Sequence, residues 1–283
     1  MKYVLITGVS TGIGYATTAV LIERGYHVLG SVRKLTDVER LRLNFGERFT
    51  PLLFDVTDHA GIKTAVAQTK TIIGDQNLTA LINNAGIVIP GPLMHVLLVD
   101  VRQQFEVNVI GLLDVTQQFL PLLGASKNNP HPPGRIINIS SVSGKIAYPF
   151  MGAYAGSKHA LEGMSDALRR ELMLYGIDVI LVEPGTTRTP IKDKYAAQVQ
   201  QYAQTDYNAA FAGLEEQMAE REKSGLPVTA VVDKIITALE HENPKARYVV
   251  PRKWLTSWLL PRWLPDRWFD RLVAGKLGFD KKK

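Results

Sequence analysis

The chain has 283 residues, 46% of them hydrophobic, and no cysteine. This composition allows a sizeable core, and it excludes a disulfide framework, a thiolate metal site and a cysteine nucleophile. Residues 244–283 hold 11 basic and 3 acidic residues, a net charge of +8, whereas residues 1–243 hold 22 and 24, a net charge of −2. Nucleic-acid-binding proteins spread basic residues over a recognition fold, so we expect no nucleic-acid partner.

Short apolar runs alternate with amphipathic stretches along the chain. The runs are rich in Val, Ile and Leu, which is typical of strands buried on both faces; they cover 3–7, 27–32, 49–55, 80–84, 135–140, 178–183 and 248–250. Helical stretches between them include 12–24, 58–73, 97–120, 153–175 and 227–241. This order predicts an α/β fold, a doubly wound Rossmann-type parallel sheet of about seven strands with helices on both faces.

We predict a single dinucleotide-binding catalytic domain over 1–250 and a C-terminal extension over 251–283. Residues 186–226 form a polar helical insertion, which is either a surface excursion or a lid on the substrate side. The chain starts directly with a strand, so we expect no signal peptide. No apolar run reaches the ~18 residues of a spanning helix. We therefore expect a cytoplasmic protein, with membrane association as an open alternative.

A glycine motif, Thr7-Gly8-Val9-Ser10-Thr11-Gly12-Ile13-Gly14, joins the first strand to the first helix. Glycines allow backbone N–H groups to approach a pyrophosphate at a helix N-terminus, where the helix dipole favours anions. The position directly after a strand is the context that supports a dinucleotide site. The predicted contacts are Gly8, Ser10, Thr11, Gly12, Ile13 and Gly14.

The end of the second strand indicates which dinucleotide binds. NAD enzymes usually place an acidic residue about 20 positions after the glycines, to bind the ribose hydroxyls. Val32 occupies that position, between Ser31 and Arg33. A guanidinium suits a 2′-phosphate, so we predict NADP(H) rather than NAD(H), with Ser31 and Arg33 as contacts.

Two further strand ends lie at the same predicted edge of the sheet. Asp55 and Val56 follow the third strand, and Asn84, Ala85 and Gly86 follow the fourth. Small and amide residues there allow close packing against a ligand, so we include them in the cofactor site.

The motif Tyr154-Ala-Gly-Ser-Lys158 begins a predicted helix. The i, i+4 spacing places the phenol and the ammonium on one face. A nearby cation favours phenolate and lowers the pKa of a tyrosine, and oxidised nicotinamide adds to this effect. Ser141 ends the fifth strand, where its hydroxyl can bind a developing oxyanion.

These motifs together resemble the short-chain dehydrogenase/reductase family in its compact, non-extended branch. The resemblance covers roughly residues 2–250. It implies that Tyr154 is the acid/base, that Lys158 binds the nicotinamide ribose and lowers the tyrosine pKa, and that Ser141 orients the carbonyl. It further implies that Asn108 anchors a relay water. Pro184, Gly185 and Thr189 then border the nicotinamide, no metal takes part, and a homo-oligomer is expected.

The substrate site is predicted from residues near Ser141 and in the insertion. They are mostly apolar or aromatic, which favours a hydrophobic carbonyl or alcohol, although several are equally expected in the core. The set is Ser141, Ser143, Tyr148, Phe150, Met151, Ile191 and Tyr195.

The four tryptophans, Trp254, Trp258, Trp263 and Trp268, lie within 252–271 among basic residues. Such a segment resembles the extensions of steroid- and retinol-type members of the family. It suits a lid, a dimer contact or a membrane interface, and Pro261 and Pro265 interrupt any long helix there.

The sequence therefore predicts an NADP(H)-dependent oxidoreductase that moves a hydride between the nicotinamide and a hydrophobic ketone, aldehyde or secondary alcohol. The alternatives are an NAD-dependent alcohol dehydrogenase of the steroid or retinol type and a non-catalytic protein that senses a dinucleotide or binds a membrane surface. The substrate and the direction of the reaction stay open.

Overall fold

A computed structural model describes residues 1–188, 201–208, 210 and 225–279. Seven parallel strands form one sheet in the order β3-β2-β1-β4-β5-β6-β7. The strands are β1 (Tyr3–Ile6), β2 (His27–Val32), β3 (Phe49–Leu53), β4 (Ala80–Asn83), β5 (Arg135–Ile139), β6 (Asp178–Pro184) and β7 (Arg247–Val250). The predicted parallel doubly wound sheet is confirmed, with strand limits within two residues of those expected.

Helices cover both faces of this sheet. They are α1 (Gly12–Glu23), α2 (Leu35–Phe45), α3 (His59–Ile73), α4 (Leu98–Phe105), α5 (Leu112–Phe119), α6 (Gly152–Glu171), α7 (Val228–Glu240), α8 (Leu260–Trp263) and α9 (Asp266–Leu277). Successive strand residues point to opposite faces, so Val4 and Ile6 belong to the core under α1 and α7, and Leu5 belongs to the core on the other face. The apolar runs of the strands follow from this double burial.

The structure differs from the helical expectations in two places. The segment of α2 was not among the predicted helices, because only Leu41 in it is fully buried and its apolar stripe is narrow. The predicted helix 97–120 is confirmed as one helical run, but its hydrogen-bond period changes at a π-helical turn, Glu106–Gly111, between α4 and α5. A π turn inserts a residue into the helical period, and the hydrophobic pattern does not reveal such an insertion.

Buried polar side chains fix the register between β4 and β5. Asn83 pairs with Asn138 along the ladder, and the Asn83 amide donates to the Asn138 side-chain oxygen at 2.9 Å. Asn83 also donates to the Thr116 hydroxyl of α5, and Asn138 donates to the Ser165 hydroxyl of α6, each at 2.9 Å. The two strands and the two helices on this face are therefore tied together by hydrogen bonds within the core.

The two ends of the insertion after β6 are joined by backbone hydrogen bonds. Leu226 donates its N–H to the Thr186 carbonyl, and Arg188 donates to the Leu226 carbonyl, both at 2.9 Å. Most of the insertion, including the predicted site residues Thr189, Ile191 and Tyr195, lies outside the described residues.

The segment after β7 packs as short helical pieces. A π turn, Leu255–Leu259, leads into α8, and the chain breaks between α8 and α9 at Leu264 and Pro265. The expected interruption by Pro265 is confirmed, but the one expected at Pro261 is wrong: Pro261 lies in the first turn of α8, where a proline is tolerated, and the helical backbone runs through it. Across the ranges that the structure describes, no helix has the length and apolar content needed to span a membrane.

Candidate active site

The glycine motif forms the turn between β1 and α1. Gly8 adopts a φ of +71°, a left-handed conformation that favours glycine. Gly14 packs so closely that an added Cβ would touch the Gly8 carbonyl oxygen and lie 2.6 Å from Asn84 Nδ2. Ser31 of β2 supports the turn, because its hydroxyl accepts the Gly8 N–H at 2.9 Å. The turn, which we call the glycine cradle, therefore has no room for a side chain at Gly8 or Gly14.

The start of α1 fits an anionic ligand. Thr11 stands at the N-cap, yet its side chain makes no capping hydrogen bond, and the first turn carries no acidic residue. The N–H groups at such a helix start attract phosphate. Ser10, Gly12 and Ile13 also lie in this turn, so the predicted pyrophosphate contacts are adjacent to one another.

The end of β2 presents cations instead of an acid. Val32 is buried at 2% exposure and cannot bind a ribose hydroxyl, whereas the Arg33 guanidinium is exposed and lies 3.6 Å from the Asp55 carboxylate. Arg40 of α2 donates to the Ser10 carbonyl at 2.9 Å. Sequence reasoning missed Arg40, because no motif marks it and its helix was not expected. Only the folded structure brings Arg40 close to the glycine cradle.

The strand ends after β3 and β4 close the site from the side. Asn84 donates from Nδ2 to the carbonyls of Thr7 and Gly8, at 2.9 Å each. The Thr7 hydroxyl in turn accepts the N–H groups of Asn84 and Ala85 at 3.0 Å. One carboxylate oxygen of Asp55 accepts hydrogen bonds from the N–H and the hydroxyl of Thr57, and these bonds rigidify the turn that carries Val56. Of the predicted strand-end residues, Asn84 and Ala85 therefore border the glycine cradle directly.

Asn108 lies in the π turn and is 1% exposed. Its side-chain oxygen accepts the Ile87 N–H at 2.8 Å, and its amide donates to the Ile87 carbonyl at 3.0 Å and to the Ser157 hydroxyl at 3.1 Å. Ser157 donates to the Tyr154 carbonyl at 2.7 Å. Asn108 thus joins the segment after Gly86 to the helix turn that carries Tyr154, a link that sequence reasoning did not foresee.

Three of the four predicted catalytic residues, Ser141, Tyr154 and Lys158, lie together at the carboxyl end of β5. The Ser141 hydroxyl lies close enough to the Tyr154 phenol to lower the pKa of the phenol, and Lys158 Nζ lies 5.9 Å from the centroid of the Tyr154 ring. Ser141 also donates to the Pro184 carbonyl at 3.4 Å and accepts the Ser143 N–H at 3.1 Å. The adjoining Gly185 donates its N–H to the Val250 carbonyl at 2.8 Å, which fixes its position.

Burial governs the ionisation of this cluster. Burial raises the pKa of the Tyr154 phenol above its ordinary value, and the nearby Ser141 hydroxyl acts in the opposite direction. Burial lowers the pKa of the Lys158 ammonium to about 8, against the opposing charge of Glu162. The expected lowering of the tyrosine pKa by Lys158 is therefore not found in this structure; Lys158 Nζ donates instead to the Ile139 carbonyl at 2.8 Å.

A buried ion network lies behind the catalytic helix. Glu162, one turn after Lys158, accepts from Lys145 at 3.1 Å and from Arg247 at 3.0 Å. Arg247 also lies 3.2 Å from Glu183, which is fully buried on β6 beside Pro184. Burial first, and then the Glu162 carboxylate, raises the pKa of Glu183 to about 7. Sequence reasoning missed this network, because acidic residues within a helix and a strand carry no motif.

The predicted substrate residues precede α6. Tyr148 packs edge-on against Phe269 of α9, with ring centroids 5.9 Å apart. Phe150 has a left-handed backbone, φ +66°, and joins Val96 and Tyr202 in a small apolar cluster separate from the main core. Ser143 and Met151 are half-buried between these residues and the helix start. Part of the predicted pocket is therefore packed core, the alternative considered above.

A cavity of about 340 Å³ lies at the amino ends of the strands, opposite the glycine cradle. Lys2, Thr79 and Arg135, which line it, precede or begin β1, β4 and β5. Ligand sites in open parallel sheets lie at the carboxyl ends of the strands. This cavity is therefore separate from the catalytic cluster.

Comparison with known proteins agrees with this geometry. The family model described as short chain dehydrogenase matches residues 2–200. The chain is 43% identical over 272 residues to an NADPH-dependent 3-dehydrocapnine reductase of Ornithobacterium rhinotracheale, covering 96% of each chain. It is 39% identical to the oxidoreductase YbbO of Escherichia coli strain K12, covering 97% of this chain and 94% of that one. A crystal structure of a short-chain dehydrogenase from Streptomyces avermitilis shares the fold, with a TM-score of 0.72, 24% identity, and coverage of 99% and 96%.

The first prediction concerns the glycine cradle. Gly14→Ala should weaken NADPH binding at least about tenfold, because the added methyl collides with the Gly8 carbonyl and the Asn84 amide and displaces the turn. Gly163→Ala in α6 makes the same chemical change in open space and serves as the control. Titration of nicotinamide fluorescence measures both, and wild-type affinity in the Gly14 variant would contradict the described packing.

The second prediction concerns Glu183. Its pKa is about 7 in the folded protein against an ordinary 4.5, so the folded state holds more protons between these values and stability falls as pH rises through that window. In Glu183→Gln, the loss of unfolding free energy between about pH 5 and about pH 8 should be smaller by about 1–3 kcal/mol.

Chemical denaturation at several pH values measures this difference. Glu47→Gln, on the exposed turn before β3, should leave the wild-type pH profile unchanged. An unchanged profile in the Glu183 variant would show that Arg247 and Lys145 keep the carboxylate ionised throughout the pH range.

Proposed function

The chain belongs to the short-chain dehydrogenase/reductase family and is an oxidoreductase, and we propose that it reduces a hydrophobic ketone or aldehyde, or oxidises the corresponding secondary alcohol, with NADP(H). The observation that carries this proposal is the contact of Ser141 with Tyr154, with Lys158 beside them, at the same strand edge as the glycine cradle. A protein that only senses a dinucleotide has no use for such an acid/base cluster.

The preference for NADP(H) rests on charge at the end of β2. A 2′-phosphate adds negative charge where NAD has a hydroxyl. Arg33 follows β2, and Arg40 donates to the Ser10 carbonyl of the glycine cradle while it also pairs with Asp37 at 2.7 Å. Asp55 offsets part of the Arg33 charge, but its carboxylate is also engaged by Thr57. The relative at 43% identity is named as NADPH-dependent, which supports the same preference here.

The nicotinamide ring, when bound, supplies or accepts the hydride. Tyr154 donates its phenolic proton to the carbonyl oxygen in the reductive direction, and Ser141 donates a hydrogen bond that orients this oxygen. The raised pKa of Tyr154 keeps the phenol protonated, as an acid requires. Lys158 lies 5.9 Å from the centroid of the Tyr154 ring, and we assign its ammonium to the nicotinamide ribose, as the family resemblance implies.

Asn108 and Ser157 act as positioning residues in this scheme. Asn108 binds the backbone of Ile87 and, through Ser157, the carbonyl of Tyr154. The tyrosine and the segment after Gly86 are thereby held at a constant separation. We also propose Pro184, Gly185 and Thr189 as the nicotinamide border, with Thr189 assigned by the family resemblance alone.

The substrate class follows from the side chains around Phe150. Tyr148, Phe150 and Met151 precede Tyr154 on one loop, and Phe150 contacts Tyr207 of the insertion and Phe279 of the C-terminal segment, with ring centroids 5.6 and 6.1 Å apart. Apolar and aromatic walls bind apolar substrates. We therefore assign a lipophilic carbonyl or alcohol, with Ser143, Ile191 and Tyr195 as further wall residues.

The third prediction tests the cofactor. The protein should bind NADPH at least about tenfold more tightly than NADH, because a charged hydrogen bond contributes about 1.5–3 kcal/mol. Arg33→Ala should remove most of this preference and leave NADH binding unchanged. Arg42→Ala, an exposed arginine of the same helix as Arg40, is the control. Equal affinity of the wild-type protein for both nucleotides would refute the assignment.

The fourth prediction tests the acid/base. Tyr154→Phe should reduce turnover of the best substrate from a panel of hydrophobic ketones and aldehydes by about 10²–10⁴-fold. NADPH affinity should stay within about threefold of wild type, a change of less than 1 kcal/mol. Tyr175→Phe, at the far end of the α6 segment, should retain full activity. A Tyr154 variant that keeps more than a tenth of the turnover would disprove the mechanism.

A further inference from the structure

Exposed apolar side chains are concentrated in two segments of the part that the structure describes. One segment lies before and at the start of α4 and the other follows β7. They are Leu93, Met94, Leu97, Leu98 and Val99 in the first, and Trp254, Leu255, Leu259, Leu260, Trp263, Trp268, Leu272 and Phe279 in the second. Scattered exposed hydrophobic residues are ordinary, but a contiguous concentration marks an interaction surface.

The two segments meet on the substrate side of the molecule. Val96 of the first segment and Leu277 of α9 pack into the same small apolar cluster as Phe150. In α9, Phe269 is half-buried against Tyr148. The C-terminal segment is therefore attached next to the residues that we assign to the substrate.

The opposite face of this segment is uncovered. None of the residues of α9 is fully buried, and Trp268 and Leu272, four positions apart, project together from the helix. Trp263 is 82% exposed, the highest value among the tryptophans, whereas Trp258 is 5% exposed and stacks with Arg262 at 4.6 Å. Trp258 anchors the segment and the other three tryptophans face outward. We call the outward residues Trp254, Leu255, Leu259, Leu260, Trp263, Trp268 and Leu272 the tryptophan surface.

Basic residues surround the tryptophan surface. Residues 244–283 carry a net charge of +8 in a chain whose remainder carries −2. Of these, Arg252, Lys253, Arg267, Arg271 and Lys276 are exposed. Tryptophan rings partition to the headgroup region of a bilayer, and adjacent cations attract anionic lipids.

We propose that the tryptophan surface docks the protein on a lipid bilayer containing anionic headgroups, without crossing it, and that docking places the substrate side against the membrane. A second copy fits this surface less well, because a two-fold contact would bring each strongly basic segment against itself. The docking depends neither on the cofactor nor on the catalytic mechanism, whereas the entry of a lipophilic substrate from the membrane rests on the proposed function.

Intrinsic fluorescence offers a direct test, because all four tryptophans of the chain lie in this segment. The full-length protein is titrated with vesicles of phosphatidylcholine alone and with vesicles that also contain phosphatidylglycerol. We expect a blue shift of tryptophan emission and co-sedimentation with the anionic vesicles, and little of either with phosphatidylcholine alone. Brominated lipid should quench the emission, because quenching requires rings within the bilayer.

Charge-reversal and apolar variants make the test specific. Arg267→Glu combined with Arg271→Glu should weaken vesicle binding by at least about tenfold, since each cation near an anionic surface contributes about 1 kcal/mol. Lys63→Glu combined with Lys70→Glu in α3 makes the same charge change on a remote helix and should have a much smaller effect. Trp263→Ser combined with Trp268→Ser should reduce binding while NADPH affinity is retained.

Several results would overturn the proposal. One is the absence of both co-sedimentation and a spectral shift with anionic vesicles. Another is a blue shift that grows with protein concentration without vesicles, which would assign the surface to a second copy. Equal weakening by the two charge-reversal pairs would show that only overall charge matters, and not this surface.

Discussion

Strands β1 and β4 lie side by side in the sheet, although β2 and β3 lie between them in the sequence. The hydrogen bonds between Thr7 and the Asn84–Ala85 backbone close this junction, and the Asn84 amide returns to the carbonyls of Thr7 and Gly8. Connections leave the two strands towards opposite faces, which opens a crevice at their carboxyl ends. The glycine cradle, the strand-end residues and the catalytic cluster all border this crevice because of that one adjacency.

The cluster of Ser141, Tyr154 and Lys158 is supported in turn by the buried ion network around Glu162. Glu162 lies four residues after Lys158 on α6, and its carboxylate is shared by Lys145 and Arg247. Such buried charges are stable only when they are paired. The network joins α6 to β6 and β7, so the helix that carries Tyr154 and Lys158 is fixed to the strands that carry Pro184 and Val250. The positions of the reacting groups follow from this fixation.

Buried strands and glycine motifs could be predicted because each leaves a local pattern. The strands have apolar runs, the cradle has its glycines directly after one of them, and the catalytic residues have a family spacing. Arg40, Glu183 and the π turn could not be predicted in this way, because their importance depends on distant partners. The pKa of Tyr154 shows where sequence-based prediction stops. The i, i+4 spacing predicts that Lys158 lies near Tyr154, but the balance between burial and charge depends on the surroundings of both side chains.

The pairing of Asn83 with Asn138 has a consequence for the route by which the sheet assembles. Apolar strands such as β4 and β5 could pair in several registers, since Val, Ile and Leu substitute for one another in a core. A slip of one residue would separate the two asparagines from each other and from Thr116 and Ser165, leaving buried amides without partners. This group of polar side chains therefore selects against misaligned intermediates in a sheet whose parallel strands pair across long sequence separations, in which correction of wrong pairings is slow.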